Sequence, residues 1–136
     1  MVILGVDWGE RRVGLAFSRG KIAAPLRAIR VKDQEQAVGG VAGVCAELGV
    51  DQIILGLPLD SQDQEGAQAR KVKQFGESLA ERAGVEVAYW DEALSSKEAT
   101  QKMIAAGRGR RARRQRDAAS AAVVLQSFLD SQREVQ

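Results

Sequence analysis

The stretch VILGVDWGERRVGLAF, residues 2–17, decides the fold. Val2, Ile3, Leu4, Gly5 and Val6 run unbroken into Asp7, the pattern of a strand covered on both faces rather than one with a wet side. A turn through Trp8, Gly9, Glu10 and Arg11 sends the chain back through a second apolar run at 13–17. An extended stretch over 22–31 then completes an antiparallel meander.

Downstream the periodicity changes. Ala37, Val41, Val44, Cys45 and Leu48 stand at helical spacing over 34–48, with Gly49 as a stop. A short buried strand follows at 52–56, then a polar loop over 57–66. Val72, Phe75, Leu79 and Ala83 form the stripe of a second helix stopped by Gly84, and 85–90 is a strand ending at Asp91 and Glu92. Ser95 with Glu98 reads as a capping box for a helix to residue 106. Asp117 is expected to open a last helix whose apolar face is Ala121, Leu125, Phe128 and Leu129. Three hairpin-connected strands followed by helix, strand, helix, strand and helix predict an α/β fold. Its sheet is mixed and five-stranded, an antiparallel meander then parallel strands, with helices on both faces. Residues 1–136 are expected to form a single domain. Such sheets place ligands off the C-terminal ends of their parallel strands, where Asp7 and the Asp91-Glu92 pair fall.

Composition narrows the chemistry. The chain has 136 residues, 45% apolar and 28% charged, enough to build a core, and only 4% aromatic. It has no histidine and one cysteine, Cys45. Serine-histidine hydrolysis, histidine acid-base catalysis, His or Cys zinc sites and internal disulfides are therefore excluded. What remains is chemistry on carboxylates, Lys, Arg, hydroxyls and hard metal ions. No apolar run reaches the roughly 18 residues of a membrane span, and no basic segment precedes a signal helix, so the expected location is the cytoplasm.

The net charge of +2 is unevenly spread. Residues 108–116 carry Arg108, Arg110, Arg111, Arg113, Arg114 and Arg116 with no acid, leaving 14 basic residues against 18 acidic ones elsewhere. Arg forks match phosphate oxygens in pairs, so an all-Arg run favours a nucleic-acid contact over its bland alternative, a solvated loop.

Each acid alone has a structural explanation: Asp7 in a turn, Glu92 on the surface, Asp117 near a helix N-terminus. Their placement together is more telling. In the predicted topology the first strand neighbours the later parallel strands, so Asp7 and Glu92 are expected to converge at one sheet edge, and Asp117 falls within about 40 to 80 degrees of Ala121 and Leu125 on the helical wheel, hence toward the sheet. Three carboxylates in one small site repel unless a hard divalent cation balances them, and two such ions about 4 Å apart support phosphodiester hydrolysis. Because adjacent strand residues face opposite ways, spacing alone leaves the choice between Asp91 and Glu92 open.

Several ordered motifs over residues 3–130 resemble one family. Residues 7–16, DWGERRVGLA, resemble the opening DxGxxRxGxA motif of the YqgF/RuvX family, Holliday-junction-resolvase-like proteins of the RNase H-like superfamily. Gly56-Leu57-Pro58-Leu59 resembles its second motif. Trp90-Asp91-Glu92 with Leu94-Ser95-Ser96 is similar to a third, and Asp117 through Ala122 with Leu125-Gln126 to its closing signature. The resemblance implies an RNase H-like nuclease acting on branched DNA or precursor ribosomal RNA. It further implies Asp7, Glu92 and Asp117 as the catalytic and metal-binding triad for Mg2+ or Mn2+, with two ions, and Arg12 as a phosphate contact. Ala93 stands where the family has arginine. That departure supports a different class of function, a module or partner subunit that binds nucleic acid without cutting. A relative of the actin-like ATPases, suggested by Asp7-x-Gly9, would need two lobes and a longer chain. Trp8 and Trp90 are candidates for stacking on a base, although such residues more often pack. Oligomeric state stays open, a homodimer being the simplest match to a symmetric four-way junction.

Overall fold

The computed structural model describes residues 1–58, 66–92 and 110–135. Its elements, in chain order, are β1 (Ile3–Asp7), β2 (Arg12–Ser18), β3 (Ala24–Arg30), α1 (Gln34–Leu48), β4 (Gln52–Leu57), α2 (Ala67–Ala83), β5 (Glu86–Asp91) and α3 (Arg110–Val135). The strands form one sheet of order β3-β2-β1-β4-β5. β2 is antiparallel to both β1 and β3, whereas β4 is parallel to both β1 and β5. This is the mixed five-stranded sheet that the sequence predicts.

Strand periodicity of two sorts the side chains into two cores. Leu4, Val6, Val13, Leu15, Ile53 and Leu55 face one way, against Val41 and Val44 of α1 and Val72, Phe75 and Leu79 of α2. Ile3, Ala16 and Ile54 face the other way, against Ala121, Ala122, Leu125 and Leu129 of α3. Helices thus cover both faces, which is why β1 and β4 are apolar without alternation.

Local chemistry sets the helix ends. Asp33 caps α1, its carboxylate accepting from the Gln36 N–H at 2.8 Å, while Gln36 Oε1 accepts from the Lys32 N–H at 2.9 Å. Gly49 and Gly84 close α1 and α2 in the left-handed conformation, as their positions foretold. The last helix departs from expectation, for it begins at Arg110 rather than Asp117. Between Gly109 and Asp117 the chain contains only Arg, Ala and Gln, all strong helix formers, so nothing there stops helix propagation. The arginine-rich stretch is therefore helical from Arg110 onward, and Asp117 lies about two turns inside α3. The expected helix over 95–106 and residues 59–65 of the polar loop lie outside the described residues.

Glycines in the sheet set how closely α3 approaches. An ideal Cβ on Gly5 would lie 2.7 Å from Leu125 Cβ, and one on Gly14 would run into the Asp117 carbonyl. With Gly14 beneath Asp117 and Gly5 beneath Ala121 and Leu125, α3 runs antiparallel to β1. Its turns before Asp117 continue past the sheet edge where β1 ends.

Candidate active site

Asp7 is the last residue of β1 and lies opposite Gly14 of β2. It has the same parity as Ile3 and Gly5, so it faces α3 and not α1 or α2. On β5, Ala88 and Trp90 pack against the α3 core while Val87 and Tyr89 pack against the other. Glu92 continues the Ala88-Trp90 side and its carboxyl is hydrogen-bonded to that of Asp7. Asp91 belongs to the opposite parity. The side chain of Glu92 reaches Asp7 by crossing Gly56 at the end of β4, where an ideal Cβ would sit 2.8 Å from Glu92 Oε1. Gly56 therefore works as the gap through which the β5 acid meets the β1 acid.

The fourth group arrives from β2. Arg12 shares the parity of Gly14 and Ala16, and its Nε donates to Asp117 Oδ2 at 2.7 Å. The structure thus brings Asp7, Glu92, Asp117 and Arg12 to one edge of the sheet, on its α3 side. Burial raises the Asp7 carboxyl first of all, and the charge of Glu92, its hydrogen bond and the charge of Asp117 raise it further, to about 8. Near neutrality Asp7 therefore holds a proton within its bond to Glu92. A carboxyl in that state is one whose negative charge lacks a counterion.

The donor set consists of carboxylate oxygens, the ligands that hard divalent cations take. Among the described residues no three such side chains stand together as a ready-made set of metal ligands. Asp117 is engaged by Arg12 instead, while Asp7 and Glu92 already touch. The residues fit a divalent cation by donor type and by the charge it would neutralise, with the Asp7-Glu92 pair as the part that is gathered.

The arginine run divides. Arg110, Arg111 and Arg113 lie in the first turns of α3; Arg114 is exposed and Arg116 half-buried, while Arg108 lies outside the described residues. Both tryptophans, half-buried, make packing contacts. Trp90 donates its indole N–H to Ser127 Oγ at 3.0 Å and meets Phe128 edge-on at 5.6 Å, and Trp8 packs on Phe75 at 6.3 Å. Sequence reasoning missed Gly56 as the passage for Glu92. The signal was present in Gly56 falling at the C-terminal end of a buried strand, where no packing role calls for glycine.

A sheet of order β3-β2-β1-β4-β5 with helices on both faces is an RNase H-like fold, and here carboxylates gather beside the end of its first strand. Two solved structures of RuvC from Thermus thermophilus are similar to it. One, in complex with a Holliday junction substrate, covers 97% of this chain and 96% of that chain, with TM-score 0.64 and 18% identity. The other has TM-score 0.61, 19% identity and 97% coverage of both chains. The family model described as "RuvX: Holliday junction resolvase" matches residues 1–131. Two curated relatives carry the name "Putative pre-16S rRNA nuclease". That from Anaeromyxobacter sp. is 39% identical, covering 96% of this chain and 97% of the relative, and that from Chloroflexus aggregans is 37% identical, covering 96% and 94%. The chain belongs to the RuvX family.

Proposed function

We propose that this nuclease hydrolyses phosphodiester bonds in a structured nucleic acid, precursor 16S rRNA before branched DNA, with Asp7 and Glu92 holding Mg2+ or Mn2+. The observation that carries the reading is the Asp7-Glu92 contact. Two acids from different strands meet in a partly buried site, and one keeps its proton to about pH 8 for want of a counterion. Its order of substrates rests on the near full-length likeness to relatives named for pre-16S rRNA.

Bound divalent metal supplies an activated water and a stabilised leaving oxygen. The chain's own residues do the rest. Asp7 and Glu92 would hold the cation, and since Asp7 keeps a proton to about pH 8 that would have to pass to solvent first, occupancy is expected to rise with pH. Arg12, half-exposed beside them, offers its guanidinium to a non-bridging oxygen of the scissile phosphate. Asp117 orients Arg12 through the 2.7 Å bond and adds negative potential at Asp7; were Arg12 drawn to a phosphate, Asp117 would be a third carboxylate able to hold the cation. The arginines of α3, beyond the sheet edge, meet the flanking backbone.

The test is a panel of labelled substrates, comprising an RNA that spans the 5′ end of 16S rRNA with its precursor extension, a four-way DNA junction, duplex DNA and single strands, each with Mg2+, Mn2+ or chelator. Preferential cutting of the precursor RNA is expected. Preference for the junction would replace the substrate while keeping the chemistry, and binding without cutting of any of them would favour a non-cleaving module.

A further inference from the structure

A second basic site lies on the same edge of the sheet, outside the acids. Arg11, Arg30, Val31, Lys32 and Gln36 line a cleft of about 640 Å³. It is built from two separate segments. The Arg11 carbonyl accepts from the Val31 N–H at 2.9 Å, tying the turn after β1 to the end of β3, and Gln36 holds the Lys32 backbone N–H. Arg11, Arg30 and Lys32 are all exposed, and among the described residues no acid lines the cleft. Among the described residues none of the three is in an ion pair, in contrast to Arg12 with Asp117, Arg27 with Glu47 and Lys71 with Glu10. Of the neighbouring carboxylates, Glu10 pairs with Lys71 while also feeling the Arg11 charge, and Asp33 caps α1.

Three like charges held around a concavity repel one another and attract a polyanion. Their place in the fold says which part of it. β1 ends at Asp7, β2 begins at Arg12, and β3 ends at Arg30, the register partner of Arg12. The cleft therefore lies two strands from the acids along one edge, at least about 10 Å away at the usual strand spacing, toward α1 where the acids face α3.

We propose that Arg11, Arg30 and Lys32 form a phosphate-binding cleft for the nucleic-acid backbone a few nucleotides from the scissile bond, on the β3 side of the acids. This rests on the nuclease reading and extends it, because it gives the substrate a path. The backbone runs from the arginines of α3, past Arg12 and the acids, to the cleft between β3 and α1. The cleft recognises phosphate charge rather than bases, so RNA and DNA backbones both fit it.

The experiment measures affinity for a labelled RNA hairpin with a single-stranded extension, and for its DNA counterpart, across a salt series with chelator present. It compares wild type with the triple variant Arg11→Gln, Arg30→Gln, Lys32→Gln and with Arg27→Gln as control. Each lost phosphate contact removes about 0.7 to 0.9 from the log-log salt slope, so the triple variant should lose about 2 to 3. That difference corresponds to at least about 100-fold weaker binding at 0.1 M salt if affinities converge near 1 M. Arg27→Gln should leave the slope unchanged. An unchanged slope in the folded triple variant, checked by its melting profile, would overturn the proposal even where wild type cuts the RNA. A lost slope with a wild type that never cuts would keep the cleft and sink the nuclease reading. No binding of either probe by wild type would overturn both.

Discussion

Replacing Asp7 by Asn should stabilise the folded protein. The carboxyl titrates at about 8 when folded against 3.8 for an unperturbed aspartate, so between these pH values the folded state holds one proton more than the unfolded state. Stability in that window then falls as pH rises, by about 1.4 kcal/mol per pH unit. The penalty is absent below about pH 4, reaches roughly 4 kcal/mol at pH 7 and is complete above pH 8. Asn cannot ionise, and its amide still donates to Glu92, so it mimics the protonated acid. For a domain of this size a gain of 2 to 4 kcal/mol should raise Tm at pH 7 by roughly 6 to 16 °C. The assay is a set of thermal melts from pH 4 to 9 with chelator, repeated with Mg2+. Wild type should lose stability with rising pH and recover it with metal, whereas Asp7→Asn should show neither response from this site. A variant no more stable than wild type at pH 7, with the same pH slope, would refute the reasoning, because Asp7 would then ionise at no cost.

Other substitutions separate packing from chemistry. Gly14→Ala drives a methyl into the Asp117 carbonyl, backbone against backbone, and should cost about 1 to 3 kcal/mol by urea titration, the usual range for overpacking. A wild-type midpoint would mean that α3 does not sit on Gly14. Gly56→Ala meets only the Glu92 side chain, so it should leave stability closer to wild type yet displace Glu92 and lower turnover about 100-fold. Full activity in that variant would remove Glu92 from the site. Changing the six arginines of 108–116 to Gln should flatten the salt dependence of RNA binding, since each phosphate contact contributes about 0.7 to 0.9 to the slope; an identical slope would show the run makes no contact.

How much of this was legible depends on whether a feature is local. The unbroken run before Asp7 revealed a central strand, and the stripes ending at Gly49 and Gly84 revealed α1 and α2, because burial and capping write themselves into neighbouring residues. The start of α3 differs from the sequence expectation because Asp117 resembles a cap, whereas the helix propensity of Arg, Ala and Gln before it carries the helix back to Arg110. Which of Asp91 and Glu92 shares the face of Asp7 could be read only from the sheet, where Ala88 and Trp90 show which parity faces α3. The cleft of Arg11, Arg30 and Lys32 was invisible, for only the register of β2 with β3 joins its segments. Trp8 and Trp90, candidates for base stacking, are held in packing contacts that no spacing rule announces.

The central claim is that Asp7 and Glu92 hold the metal that cuts the phosphodiester bond. Its most direct test is single-turnover cleavage of the preferred substrate at saturating protein, titrating Mg2+ or Mn2+ into wild type, Asp7→Asn and Glu92→Gln. Metal-dependent cutting by wild type, with both folded variants still binding the substrate yet losing nearly all cleavage at every metal concentration, is the predicted result. Cleavage that persists in a clean preparation of either variant, or that proceeds undiminished in chelator, would contradict it.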